Sequence, residues 1–330
     1  MIHFVTTQSH STTLRFLIPR LGPARCRDWF YEDVFRRRKL PSGTWIFTDH
    51  ERLSAYELTL AARVAFHLQR GGARVLNHPA RVLCRFDLLR TLKTAGINDF
   101  SAWRAETFPK PESFPVFIRN EYDHRLGDPP LIPDQAALDA ELAAIQKSEY
   151  PLVGKLVIEF AGEEVCPGVW QRFQTYHIAG ETIAHTNVVD FKWVAKDVKD
   201  TKRLKRHPMF DRFIANEQAF ISKNLYADVL SRAFKLAQID YGRADFAIVN
   251  GKPQIYEINT NPNHGDHEKL FRAIHPRRAA IQRYSEDLVQ KALLKTDLAA
   301  GDAIKIRIDD PMLKRHQAWW KPRPEPPWRP

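Results

Sequence analysis

At 330 residues, with 44% hydrophobic and 11% aromatic residues, the chain can bury a sizeable core in two or three lobes, which excludes a disordered polymer. The formal net charge of +11 points to anionic ligands in general: nucleotides, acidic metabolites, nucleic acid or lipid head groups. Part of that excess sits in the last twenty residues, where Lys314, Arg315, Lys321, Arg323 and Arg329 face Glu325 alone.

Three dispersed cysteines (Cys26, Cys84, Cys166) and no CxxC argue against a disulfide scaffold or zinc ribbon and suit a reducing compartment. The apolar stretches are strand-sized, too short for a membrane span. The opening MIHFVTTQSHSTTLRF lacks the pattern of a secretion signal, so the cytoplasm is the expected location.

IHFVT (2–6) reads as a short buried strand. A Ser/Thr-rich turn and the basic segment RLGPARCRDWFYEDVFRRRK follow, and TWIFTD (44–49) reads as a second strand. Apolar positions at Leu53, Tyr56, Leu60, Val64 and Leu68 recur with a helical period, and Gly71-Gly72 ends that helix. ARVLNHP (73–79) is a third strand, halted by Pro79. This strand–helix–strand order predicts a small open α/β lobe of parallel type over residues 1–83.

Leu88, Leu89, Leu92 and Ala95 predict a helix closed by Gly96, and FPVFIRN (114–120) predicts a strand. A Pro/Gly/Asp loop leads to a helix over 134–147 with Asp134 as N-cap. KLVIEFAG (155–162) is a strongly apolar strand, and VWQRFQTYHIAGETIAHTNVV is two strands around Ala179-Gly180. Residues 216–238 predict one long amphipathic helix, with Phe220, Leu225, Val229, Leu230, Phe234 and Leu236 as core positions. Two more strands and a helix near 278–295 follow. Residues 301–330 are expected to be a basic Pro/Trp-rich tail in extended form; its end, KPRPEPPWRP, holds too many prolines for a helix or central strand, and Trp319, Trp320 and Trp328 are candidate docking points.

The most informative segment is GRADFAIVNGKPQIYEINTNPN (242–263). Side chains alternate along a strand, so Arg243, Asp245, Ala247 and Val249 share one face, and Ile255, Glu257 and Asn259 share a face of the next strand. A three-residue loop, Asn250 to Lys252, would pair Val249 with Pro253, Asp245 with Glu257 and Arg243 with Asn259. Opposed carboxylates repel unless a cation lies between them. Three oxygen donors without cysteine or histidine suit a hard cation, magnesium or manganese. Solvated carboxylates on an exposed hairpin would explain the alternation, but not the polar run INTNP at the end of an apolar strand.

At these residues the chain resembles the ATP-grasp superfamily, with parts ordered as in D-alanine–D-alanine ligases and related carboxylate–amine ligases. The carriers are R-A-D (Arg243, Asp245) and E-I-N-T-N-P (Glu257, Asn259, Pro262). The resemblance spans roughly residues 80–275 and implies an α/β (α+β) fold in which two α+β subdomains clasp ATP, here over residues 84–300 with a hinge near 155–162.

It further implies that Asp245, Glu257 and Asn259 hold magnesium, or manganese, against the ATP phosphates, and that Arg243 is catalytic, holding an acyl phosphate. Arg85 and Arg119 stand where the family places ATP-binding lysines. In KLVIEF, Glu159 and the hinge backbone match the adenine reader, with Phe160 following. Glu164, or its neighbour Glu163, is the candidate for the ribose, and Lys192 matches a further phosphate contact. Two features depart from the pattern: arginine replaces lysine twice, and the loop after Arg119 is short and contains proline where the family has a glycine-rich lid.

No P-loop, dinucleotide-binding turn, H-E-x-x-H or G-x-S-x-G is present. NHGDHE (263–268) reads as a loop facing substrate or phosphate, or as polar filler, and the run 196–208 as a solvated basic face able to draw in an acidic substrate. The resemblance implies an ATP- and magnesium-dependent ligase joining a small carboxylate to an amine or thiol through an acyl phosphate. Two other readings stay open. One is a phosphotransferase or non-catalytic nucleotide-binding relative. The other is a basic protein that binds nucleic acid or a partner, which the absence of a nucleic-acid module disfavours.

Overall fold

The computed structural model describes residues 1–122, 128–195, 200–264, 274–298 and 305–319. The chain forms two compact units: Met1–Arg81 with Asn263–Gly265 and Leu294–Pro330, and Val82–Pro262 with Asp266–Leu293. The mixed α/β class expected from the sequence is the one observed. Among the described residues no helix is long and apolar enough to cross a membrane.

In the first unit, β1 (Ile2–Thr6), β2 (Cys26–Phe30), β4 (Thr44–Phe47) and β5 (Arg74–Leu76) form a parallel sheet in the order β2-β1-β4-β5. β3 (Lys39–Pro41) lies outside it. β1 is flanked on both sides, so all five of its residues are buried, which is why it reads as an unbroken run rather than an alternation. The helix Ala55–Arg70 starts at a capping box in which Ser54 and Glu57 bond each other's backbone N–H. Its Leu60, Val64 and Leu68 pack with Trp45, Phe47 and Trp29.

The unassigned basic segment supplies β2, a short helix and β3. Its edge strand CRDWF gives no strand signal because only Cys26 and Trp29 are buried, with no alternation along a short run.

In the second unit, β6 (Ala102–Arg104), β7 (Val116–Asn120) and β8 (Lys155–Glu159) make an antiparallel sheet in the order β6-β8-β7. The helix Gln135–Lys147 packs Leu138 and Leu142 against Val116 and Val157, and Asp134 caps it through the Ala137 N–H at 2.9 Å. A second antiparallel sheet, β11-β10-β12-β13, joins β10 (Val169–Ile178), β11 (Glu181–Asp190), β12 (Tyr241–Val249) and β13 (Lys252–Asn259), with β9 (Glu164–Cys166) beside β10. One face of this sheet, carrying Phe173, Ala244, Phe246 and Ile255, is sealed by Leu88, Leu92, Phe220, Leu230 and Phe234 from helices. The other face is left for polar chemistry.

Two expectations need correction. The long helix over 216–238 is two helices, Phe210–Ser222 and Ala227–Ala237. Asn224 breaks it: its side chain accepts from the Ala184 N–H at 2.8 Å and donates to the Thr182 carbonyl at 2.7 Å, and its φ of 47° is left-handed. Leu225 falls in the break and is exposed, while Phe220, Leu230 and Phe234 are buried.

The C-terminal segment is also more than an extended tail. β14 (Lys305–Arg307) pairs with β3, and the helix Pro311–Trp319 follows, capped by Asp310 through the Met312 N–H. Ile306, Ile308 and Leu313 join the first unit's core, and the close approach of Ile306 leaves no room for a side chain at Gly71. The alternation I-K-I-R-I was present in the sequence but was masked by the proline-rich composition that follows it. Trp320 and Trp328 lie outside the described residues.

Candidate functional site

The hairpin β12–β13 builds the site by a route that differs from the one expected. The loop has two residues, Asn250 (φ 49°) and Gly251 (φ 75°), both left-handed as a tight hairpin turn requires, so Val249 pairs with Lys252. Taken alone, that even loop would set Asp245 opposite Tyr256. A bulge at Tyr256 corrects the register: Phe246 pairs with Ile255, but Asp245 pairs with Glu257 and Arg243 with Asn259. Ile255 consequently does not share a face with Glu257; it enters the core with Phe246. The extra residue, Tyr256, donates its hydroxyl to the Ala161 carbonyl at 2.6 Å.

The neighbouring strand completes the polar face. On β10, Gln174 pairs with Asp245 and Tyr176 with Arg243. Arg172, two residues before Gln174 on the same side, bonds Asp245 Oδ2 through its guanidinium, and Gln174 Nε2 donates to Oδ1 at 3.1 Å. Arg243 Nε lies 3.6 Å from the same Oδ1, with its guanidinium 5.9 Å from the Tyr176 ring centre. Burial opposes the Arg243 charge, but Asp245 and Tyr176 outweigh it, and its pKa is raised.

Glu257 is held by Arg85, the first residue of the helix Arg85–Thr94, and lies 3.7 Å from Arg119 on β7. Burial lowers the pKa of Arg119. Glu257 opposes that shift, while nearby Arg85 and Arg172 add to it.

Five of these groups, Arg85, Arg119, Arg172, Asp245 and Glu257, line a cavity of about 320 Å³, within the range of small-molecule sites; Gln174 and Arg243 stand behind it. Most of the remaining lining is apolar and aromatic. Trp193 lies 5.1 Å from Phe117 and 5.4 Å from Phe160 between ring centres, and Phe100, Tyr256 and Ile158 are also in the wall.

The remaining candidates divide. Phe160 lines the cavity. Glu159 does too, but its carboxylate accepts from the Ser101 and Ser113 N–H groups, one on each oxygen and both at 2.8 Å, and so anchors β8. Glu164 accepts from the Gly168 N–H at 3.0 Å and Glu163 from the Asn250 N–H at 2.7 Å; both secure surface turns, and neither lines the cavity.

Lys192 is exposed and pairs at 2.9 Å with Asp128, which raises its pKa; Asp128, not Lys192, lines the cavity. Asn259 Oδ1 accepts from the Asn261 N–H at 2.8 Å. Asp128 and Pro129 place the end of the loop after Arg119 at the cavity, while residues 123–127, like 265–268 of NHGDHE and 196–199 of the basic run, lie outside the described residues.

Sequence reasoning missed Arg172, Gln174 and Trp193. A signal for Arg172 existed, a charge inside a half-apolar strand. Its meaning depends on β10 lying beside β12, a pairing across some seventy residues.

Asp245 and Glu257 line the cavity with oxygen donors that suit a hard divalent cation, and the three arginines beside them suit the phosphates such a cation accompanies; Asn259, expected to join them, is not among the lining residues. Among the described residues, no group of three or more His, Cys, Asp or Glu gathers as a self-sufficient metal site, so such a cation would need ligands from its partner anion.

No family model matches the sequence, and no curated protein matches it. Among solved structures, the chain is similar to D-alanine–D-alanine ligase from Bacillus anthracis, at 11% identity and a TM-score of 0.47 over 88% of this chain and 98% of that one. It is similar to a RimK domain ATP-grasp protein from Sphaerobacter thermophilus, at 13% identity and a TM-score of 0.48 over 90% and 99%. It is also similar to the ATP-grasp ligase PsnB complexed with a precursor variant, magnesium and ADP, at 13% identity and a TM-score of 0.48 over 88% and 97%.

Proposed function

We propose that the cavity binds ATP with a divalent cation, as in ATP-grasp proteins, and that the chain is an ATP-dependent ligase joining a carboxylate to an amine or thiol. The observation that carries this reading is the lining of the cavity, which combines the packed rings of Phe117, Phe160 and Trp193 with Arg85, Arg119 and Arg172 around Asp245 and Glu257. Aromatic surface suits a purine, and an excess of guanidinium over carboxylate suits a polyphosphate. Because the Glu159 carboxylate is committed to Ser101 and Ser113, the base would be read by hinge backbone groups rather than by that side chain.

In this reading Asp245, Glu257 and Asn259 would hold magnesium, which would screen the phosphate charge when bound. Arg85, Arg119 and Arg172 grip phosphate oxygens, and Arg243 steadies the transferring group from beside Asp245. A substrate carboxylate oxygen attacks the γ-phosphorus and ADP leaves. An amine or thiol then attacks the acyl carbon, phosphate departs, and the nucleophile's proton is lost. The residues contribute by positioning and by offsetting charge.

Thermal unfolding with a non-hydrolysable ATP analogue and magnesium tests the binding step. A rise in midpoint with both together, and a smaller one with the GTP analogue, is expected. No rise with any nucleotide sinks the reading. Release of inorganic phosphate with an amide or thioester product, rather than a phosphorylated acceptor, separates a ligase from a phosphotransferase.

A further inference from the structure

We propose that Arg172 is a displaceable counter-ion for Asp245 which, with Arg85 and Arg119 on Glu257, bars the divalent cation from the free protein and admits it only together with a polyphosphate. This rests on the nucleotide reading above and adds an order to it: anion before, or with, metal.

Asp245 is 3% exposed and both its oxygens are engaged, Oδ2 by the Arg172 guanidinium and Oδ1 by Gln174, with Arg243 Nε 3.6 Å away. Glu257 Oε2 is bonded by Arg85, and Arg119 lies 3.7 Å from it. Four guanidinium groups therefore surround two carboxylates. A bare dication would have to displace fixed cations from its own ligands and then sit among them, with no negative charge gained in exchange. A triphosphate reverses the balance. Its oxygens bond guanidinium at least as well as carboxylate does, so the arginines can pass to phosphate and leave the carboxylate oxygens to the metal.

Arg172 also joins the two parts of the cavity. Its Nε donates to the Ala195 carbonyl at 2.9 Å while a terminal nitrogen of the same planar guanidinium holds Asp245, so the fork moves as a unit and both contacts yield together when phosphate takes it over. Ala195 follows Trp193 and Val194, both in the cavity wall, so the segment that would meet a base is bonded to the same guanidinium that latches Asp245.

The test titrates manganese, observed by its electron paramagnetic resonance, into the full-length protein without nucleotide. Wild-type protein is expected to leave the free-manganese signal almost undiminished, whereas Arg172→Gln binds manganese roughly tenfold or more tightly. Wild-type protein is also expected to bind a non-hydrolysable ATP analogue in the presence of a chelator, read by tryptophan fluorescence, and Arg172→Gln to bind it more weakly. Arg172→Lys, which keeps the charge but loses the planar fork, is expected to fall between the two, and covers the case in which the glutamine variant fails to fold. Manganese binding to nucleotide-free wild type as tight as to the variants overturns the latch while leaving the nucleotide site standing. Failure of the analogue to bind wild type with or without magnesium overturns the nucleotide reading and the latch with it.

Discussion

Two buried aspartates, one in each compact unit, show how the same side chain can serve structure or chemistry. Asp49 in the first unit is fully buried, and it accepts from the Thr6 hydroxyl, the Thr7 N–H and hydroxyl, and His10 Nδ1, with Arg52 further off at 3.8 Å. Its close partners are hydroxyl, amide and imidazole groups of the chain that turns after β1, and its own backbone is left-handed at φ 56°. Asp245 in the second unit is almost as buried, but its partners are the guanidinium groups of Arg172 and Arg243 and the amide of Gln174, at the edge of a cavity. A carboxylate tied down by short neutral donors holds a loop in place. One balanced by long cationic side chains beside open space can exchange those partners for a ligand.

That contrast can be broken most directly at the second site. Asp245→Asn and Glu257→Gln are each expected to lower magnesium-dependent ATP turnover at least roughly a hundredfold, with circular dichroism unchanged. Full turnover in either variant would remove the metal-ligand role. At the first site the loss should fall on stability instead. Asp49→Ala strands several buried donors and is expected to cost about 3 kcal/mol in urea unfolding, and a neutral result would show that the loop does not depend on it.

The neighbouring His50 sharpens the structural side of the comparison. Burial is the main cause that lowers its pKa from 6.5 to about 4; the hydrogen bond to the Asn77 carbonyl at 3.2 Å opposes the shift and fixes the proton on Nε2. The folded state therefore holds fewer protons than the unfolded chain between those values, so stability falls as pH drops from 6.5 towards 4. The loss is up to ~3 kcal/mol, and it should shrink in His50→Gln. Equal pH slopes in the two proteins would discount the effect.

Smaller changes are expected in the cavity walls. Trp193→Ala should weaken nucleotide binding about tenfold by calorimetry, through lost aromatic contact. Arg119 touches Glu257 through a single 3.7 Å approach rather than a fork, so Arg119→Lys should alter nucleotide affinity by no more than about threefold. A large loss there would mean that Arg119 grips phosphate as a planar fork rather than as a single positive charge.

The sequence by itself determined most elements, because hydrophobic period, turn residues and strand alternation are local properties. It led as well to the pairing of Asp245 with Glu257, but through a three-residue loop that the hairpin does not have. It also held the information for β14, in an alternation that composition concealed. Other features were decided only by tertiary structure. The two-residue turn and the bulge at Tyr256 reach the expected pairing by a different path, and a bulge is set by what lies on each face of the sheet: Ile255 in the core, Glu257 in the cavity. The break at Asn224 exists because β11 offers it two backbone groups. The side-chain commitments of Glu159 and Glu164, and the approach of Arg172 to Asp245, depend on contacts between segments or on turn geometry that no local pattern encodes. Periodicity tells which way a side chain points, whereas what it meets there is fixed by the packing of elements distant in the chain.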